Sequence, residues 1–162
     1  MKGGEGFMRT VLVIEDNLAD QRLAIEAFRN GRLHCHIDTT ADGLEALRRL
    51  AEPNREGKPL PDLILLDLNL PRIDGRQILR AIKSVPALCH IPVLVLSSSN
   101  NPADIAECYQ LQANCYLIKP IDIDSFFEMI QKIEDLWMDP SGAQGHFAER
   151  GCRSSVTHAA TA

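Results

Sequence analysis

Four short runs of consecutive apolar residues decide what this chain can become. Thr10–Ile14, Leu63–Leu66, Pro92–Leu96 and Cys115–Ile118 are each too short for a helix and apolar at successive positions. That is the pattern of a strand covered on both faces of a sheet. A fifth run, Leu33–Thr39, is less apolar and reads as a strand nearer the sheet edge. Segments with helical spacing separate them. Leu18–Asn30 carries Leu23 and Phe28 and stops at Gly31; the next begins at Asp42-Gly43, runs through Leu44, Leu47 and Leu50, and ends before Pro53. Arg76–Ser84 turns Ile78, Leu79 and Ile82 inward, and Asn101-Pro102 supplies a cap and a first-position proline for a helix to about Gln112. Asp122 or Asp124 caps a last helix through Trp137. Strand and helix alternate five times, so the expected fold is α/β, a five-stranded parallel sheet with helices on both faces.

At 162 residues there is room for one such domain and little more. The expected division is a short head over 1–8, a domain over 9–138 and a flexible tail over 139–162. That tail is punctuated by Gly and Pro, shows no helix-turn-helix pattern, and is too short to be an output domain. A net charge of -5 argues against a nucleic-acid surface. No apolar run approaches the length of a membrane span, and Met1–Arg9 contains no apolar core of a secretory signal. The five cysteines include no CxxC pair, and they read as reduced thiols of a cytoplasmic protein. His34-Cys35-His36 is not read as a metal site, because in a strand the two histidines share a face and the cysteine points away.

Ligands of open parallel sheets bind outside the carboxyl ends of the strands. Here those ends carry Glu15 and Asp16 after the first strand, Asp67 after the third, Ser97 after the fourth and Lys119 after the fifth. Singly, each is an ordinary turn residue or helix cap. Together they bring three carboxylates, a hydroxyl and an ammonium to one shallow cleft. Crowded carboxylates resist full ionisation, and a divalent cation relieves them. Mg²⁺ suits such a site, since it takes one or two carboxylates with water and phosphate oxygens. With Lys119 and Ser97 added, the set suits a phosphoryl group, whose transfer depends on positioning and charge neutralisation.

Glu15-Asp16, Asp67 within Leu65-Leu66-Asp67-Leu68-Asn69-Leu70-Pro71, then Asp74-Gly75, Ser97 and Lys119-Pro120 resemble the receiver domain of two-component response regulators. The resemblance covers about Arg9 to Met138. It implies the doubly wound strand order 2-1-3-4-5. It also implies Asp67 as the phosphoacceptor, Asp16 as a direct Mg²⁺ ligand with Glu15 assisting through water, and the Asn69 backbone carbonyl as a further ligand. Lys119 would pair with phosphoryl oxygens, Ser97 would be the switch hydroxyl, and Tyr116 the switch aromatic that turns inward on phosphorylation. Asn69 and Ser99, two residues beyond Asp67 and Ser97, would tune the lifetime of the acyl phosphate. The Lys119–Pro120 peptide is expected to be cis.

Further wording, in Asp67–Pro71, the loop Pro53–Pro61, Ala113–Tyr116 and Ile133–Trp137, is similar to single-domain regulators paired with bacterial and cyanobacterial phytochromes. That likeness implies a phytochrome-type histidine kinase as donor, docking at the first helix. In the last helix, Phe126, Ile130, Ile133 and Trp137 form one stripe, and Met129 and Leu136 lie about 90° away. The arc is wider than one packing face needs, and the likeness to phytochrome-paired regulators implies a homodimer through the fourth helix, fifth strand and fifth helix. An ordinary stand-alone receiver or phosphate sink is the alternative. An inert receiver-like module would be expected to lack one of the charged residues. A haloacid-dehalogenase-like phosphatase needs a second acid where this chain has Asn69.

Overall fold

The computed structural model describes residues 8–52 and 59–138. The expectations for the tail over 139–162 and for most of the head over 1–8 fall outside these. The elements are β1 (Arg9–Ile14), α1 (Leu18–Arg29), β2 (Cys35–Thr40), α2 (Gly43–Ala51), β3 (Leu63–Leu66) and α3 (Gly75–Ser84). They continue as β4 (Val93–Ser97), α4 (Pro102–Gln110), β5 (Cys115–Ile118) and α5 (Ile123–Ile133), with a π-helical turn over Glu134–Met138. The sheet is parallel throughout in the order β2-β1-β3-β4-β5. β1, β3 and β4 are the buried central strands, and β2 is the half-buried edge, as its mixed composition requires.

Each helix starts on an Asn or Asp whose side chain accepts a backbone N–H of the first turn: Asn17, Asp42, Asp74, Asn101 and Asp122. Such a cap is worth about 1 kcal/mol. Asp74 forms a reciprocal pair with Gln77, so α3 begins at Gly75, one residue earlier than apolar spacing alone suggests. α4 stops two residues short of Gln112, which takes a left-handed φ of 71° and so ends the helix.

The expectation for the end of the last helix changes. Phe126, Ile130 and Ile133 are buried as foreseen, but Trp137 is only partly covered, and Met138 is buried in its place. The π turn adds a residue to the repeat, so the position five after Ile133 faces inward. It also buries Glu134, whose Oε2 accepts the Arg32 N–H at 3.1 Å while Oε1 has no partner among the described residues. Burial raises the Glu134 pKa, and Gly31 leaves the space its carboxylate occupies.

The Lys119–Pro120 bond is trans, contrary to the cis expectation. An X–Pro bond prefers trans unless its surroundings offset about 0.5–1 kcal/mol. Cys35, Cys89 and Cys108 are free thiols, but Cys115 is disulfide-bonded, which corrects the expectation of reduced thiols throughout. Among the described residues no helix is long and apolar enough to cross a membrane.

Candidate functional site

Register brings the strand ends level. Ile14 pairs with Leu66 and Ser97 with Ile118. The ladder then runs one step further, with the Asp67 N–H donating to the Ile14 carbonyl at 3.0 Å and the Lys119 N–H to the Ser97 carbonyl at 2.8 Å. Glu15, Asp67 and Lys119 therefore leave the sheet at one edge, held by the backbone rather than by their own contacts. Gln21 of α1 donates to the Glu15 carbonyl, which ties the first turn of that helix to the same edge.

Glu15, Asp16 and Asp67 each present a carboxylate oxygen within 4.8 Å of the others. Glu15 and Asp67 are buried and Asp16 is exposed. The Lys119 ammonium donates to Glu15 Oε2 at 2.7 Å, Asp20 Oδ2 at 3.1 Å and Asp67 Oδ2 at 3.3 Å. Burial pushes the Glu15 carboxyl up to about 7; Lys119 lowers it, and the neighbouring Asp67 raises it further. Burial alone would lower the Lys119 pKa, but its bonds and charges with Glu15, Asp67 and Asp20 more than offset that, and the net shift is upward. Glu15, Asp16 and Asp67 are hard oxygen donors, two of them buried and one, Glu15, destabilised as an anion. They fit a small divalent cation of the oxygen-binding class.

The raised Glu15 pKa has a measurable consequence. Between its ordinary value of 4.5 and about 7 the folded chain binds more protons at this group than the unfolded chain. This group's contribution to stability therefore falls as pH rises through that window. A cation competes with that proton. The rise in melting temperature on adding Mg²⁺ is expected to be clearly larger at pH 8 than at pH 5, as read by thermal unfolding. Equal rises at both pH values would contradict this placement.

Ser97 is fully buried, and its hydroxyl oxygen accepts the Ser99 N–H at 3.2 Å within its own loop. Tyr116 is fully buried, with its hydroxyl donating to the Ser99 carbonyl at 2.8 Å. The ring is thus inward in this structure, the placement that the sequence reading reserved for the phosphorylated form. A buried phenol needs an acceptor, and the Ser99 carbonyl provides it. The Ser99 hydroxyl donates to Asp104 Oδ2 at 2.6 Å, and Arg76 of α3 holds both Asp104 and Glu107 of α4, each at 2.8 Å. Asn69 is exposed, and its N–H donates to Asp67 Oδ1 at 3.1 Å.

The sequence reading missed Asp20. It lies in the first turn of α1, not at a strand end. The signal was the neighbouring Gln21, which shares the buried side of α1 with Ala24 and Phe28. Helical spacing puts a first-turn acid beside that face at the rim of the site. Nothing in the sequence signals a role for Arg76, whose three carboxylate partners are Asp74 at the cap of α3 and Asp104 and Glu107 of α4.

The family model for the response regulator receiver domain matches residues 11–131. Response regulator Rcp1 of Synechocystis sp. is 41% identical over 132 residues, 81% of this chain and 90% of that protein. The solved structure of the phosphorylated cyanobacterial phytochrome response regulator RcpA is 42% identical and superposes with a TM-score of 0.77, covering 83% of this chain and 96% of that one. The Mn²⁺-bound form of Rcp1 is 41% identical with a TM-score of 0.74, over 82% and 96% of the two chains. With its strand order, its level carboxyl ends and this match over most of its length, the chain belongs to the response regulator receiver domain family.

Proposed function

We propose that the chain accepts a phosphoryl group on Asp67 from the phosphohistidine of a sensor histidine kinase. The observation that carries this reading is the triple contact of Lys119 with Glu15, Asp20 and Asp67 at the edge where the strand ends meet. An Asp67 carboxylate oxygen forms the new bond to phosphorus as the phosphorus–nitrogen bond to the donor imidazole breaks. The imidazole leaves with the electron pair and is protonated from water. Lys119 offsets the charge gathered on the transferring group. Glu15, Asp16, Asp67 and the Asn69 backbone carbonyl would hold Mg²⁺, which supplies further neutralisation of phosphoryl charge when bound. The chain acts as a regulator whose chemistry is confined to its own phosphorylation and its reversal.

Ser97 and Tyr116 form the switch in this reading. A phosphoryl oxygen offers the Ser97 hydroxyl a charged acceptor, and movement of its loop carries the Ser99 carbonyl that holds Tyr116. Asn69, whose N–H already donates to Asp67 Oδ1, and Ser99, two residues beyond Ser97, set how long the acyl phosphate survives in this reading.

The donor is of the phytochrome type. The likeness to Rcp1 and RcpA supports this, since RcpA is described as a cyanobacterial phytochrome response regulator. Leu18 at the start of α1, and Ile121 and Ile123 just after Lys119, are large, strongly exposed apolar side chains of the kind a docking partner buries. The test is phosphotransfer from a panel of purified kinases in Mg²⁺. Transfer is expected to be fastest from a phytochrome kinase. Faster transfer from a kinase of another sensory class would leave the phosphoacceptor standing and remove the phytochrome pairing.

Homodimerisation through α4, β5 and α5 is supported by the partial exposure of Met129 on α5 and Leu117 on β5 and by the exposed Leu136 in the π turn that follows α5. Sedimentation at tens of micromolar is expected to give a dimer. A monomer with and without phosphorylation would overturn this part of the proposal.

A further inference from the structure

An ammonium has three N–H donors, and those of Lys119 are all engaged, by Glu15, Asp67 and Asp20. Glu15 and Asp67 are buried parts of the carboxylate cluster. Asp20 stands apart from them. It lies outside the group whose oxygens could share a cation, and its side chain is 38% exposed. Its carboxylate sits on the first turn of α1, whose backbone is fixed by the bond from the Asp20 N–H to the Asn17 side chain at 3.1 Å. The position of the Asp20 side chain therefore follows from the helix start, and it pulls Lys119 toward α1.

We propose that Asp20 is a positioning residue that competes with the incoming phosphoryl group for Lys119. The inference rests on the phosphoacceptor reading of Asp67. A phosphoryl dianion approaching Asp67 needs a Lys119 donor and meets the Asp20 charge on the solvent side of that lysine. Asp20 is the easiest partner to displace, because its carboxylate can return to water while Glu15 and Asp67 cannot. It thus weakens the capture of small phosphoryl donors without touching the atoms that react. A partner that covers α1 with a basic group would draw Asp20 away and release the lysine. The residue then favours docked donors over free ones.

The test uses acetyl phosphate as donor at saturating Mg²⁺, where Asp67 takes the phosphoryl group and acetate leaves. Asp20→Asn keeps the side-chain shape and removes the competing charge. Its half-saturating acetyl phosphate concentration is expected to fall roughly threefold, the scale of one partly exposed ion pair, with the maximal rate little changed. The affinity for beryllofluoride, a phosphoryl mimic, is expected to rise in parallel. Asp20→Glu is expected to restore wild-type values. Glu26→Gln removes the same charge further along α1, where Glu26 pairs with Arg29, and is expected to change neither quantity. An unchanged half-saturation in Asp20→Asn, or an equal fall in Glu26→Gln, would overturn the proposal. Labelling retained in Asp67→Asn would instead overturn the phosphoacceptor reading beneath it.

Discussion

Asp67→Asn is expected to abolish phosphoryl incorporation, from a kinase or from acetyl phosphate, to the limit of detection. The amide has nearly the shape of the carboxylate but lacks the anionic oxygen that attacks phosphorus. The loss will not reflect unfolding. Asp67 raises the cost of ionising Glu15, so removing its charge relieves repulsion inside the buried cluster. The variant is therefore expected to melt at or above the wild-type temperature at pH 8 in the absence of cation. Labelling and melting measured on the same preparation separate the two effects. Retained labelling would show that the nucleophile lies elsewhere, and a lower melting temperature would show that the cluster is not under charge strain.

The largest stability effect is expected at Gly75. A Cβ there would collide with the Asp67 carbonyl oxygen and stand 2.6 Å from Leu68 Cα. Both obstacles are backbone, and the Gly75 N–H also donates to the Leu68 carbonyl at 3.0 Å. The start of α3 is thus pressed directly onto the loop that leaves Asp67. Gly75→Ala is expected to cost about 1–3 kcal/mol in urea unfolding, the range for overpacking that needs a backbone shift. It should also slow labelling by displacing Asp67. Gly31→Ala provides the contrast, because the group its Cβ would meet is the end of the Glu134 side chain, which can move. An unfolding midpoint for Gly75→Ala equal to wild type would mean that the loop after Asp67 yields freely.

The strands were legible because β1, β3 and β4 are covered on both faces, which leaves unbroken apolar runs that side-chain alternation cannot blur; β5 keeps such a run although, at the sheet edge, only Cys115 and Tyr116 are buried. From the strand ends followed Glu15, Asp16, Asp67 and Lys119, and the structure brings them together because register levels those ends. Features set by helix rotation were harder to read. Asp20 reaches Lys119 from the side of α1, and Trp137 lost its inward place to a one-residue change of helical repeat. Arg76 reads locally as an exposed helix residue, and its bonds to Asp104 and Glu107 depend on how α3 and α4 lie together. The direction of the Tyr116 ring could not come from sequence spacing, since a strand residue next to a loop can point its side chain at several acceptors.

The chain of contacts from Tyr116 through Ser99 and Asp104 to Arg76 and Glu107 has a consequence under thermodynamic reciprocity. If phosphorylation shifts this chain and so changes how α4 binds a target, the target must shift phosphorylation by the same factor. A bound target that favours the switched arrangement would then raise the equilibrium occupancy of Asp67 at a fixed kinase potential. In a pathway where kinase and regulator exchange phosphate reversibly, the abundance of the target would be felt upstream, as a load on the sensor.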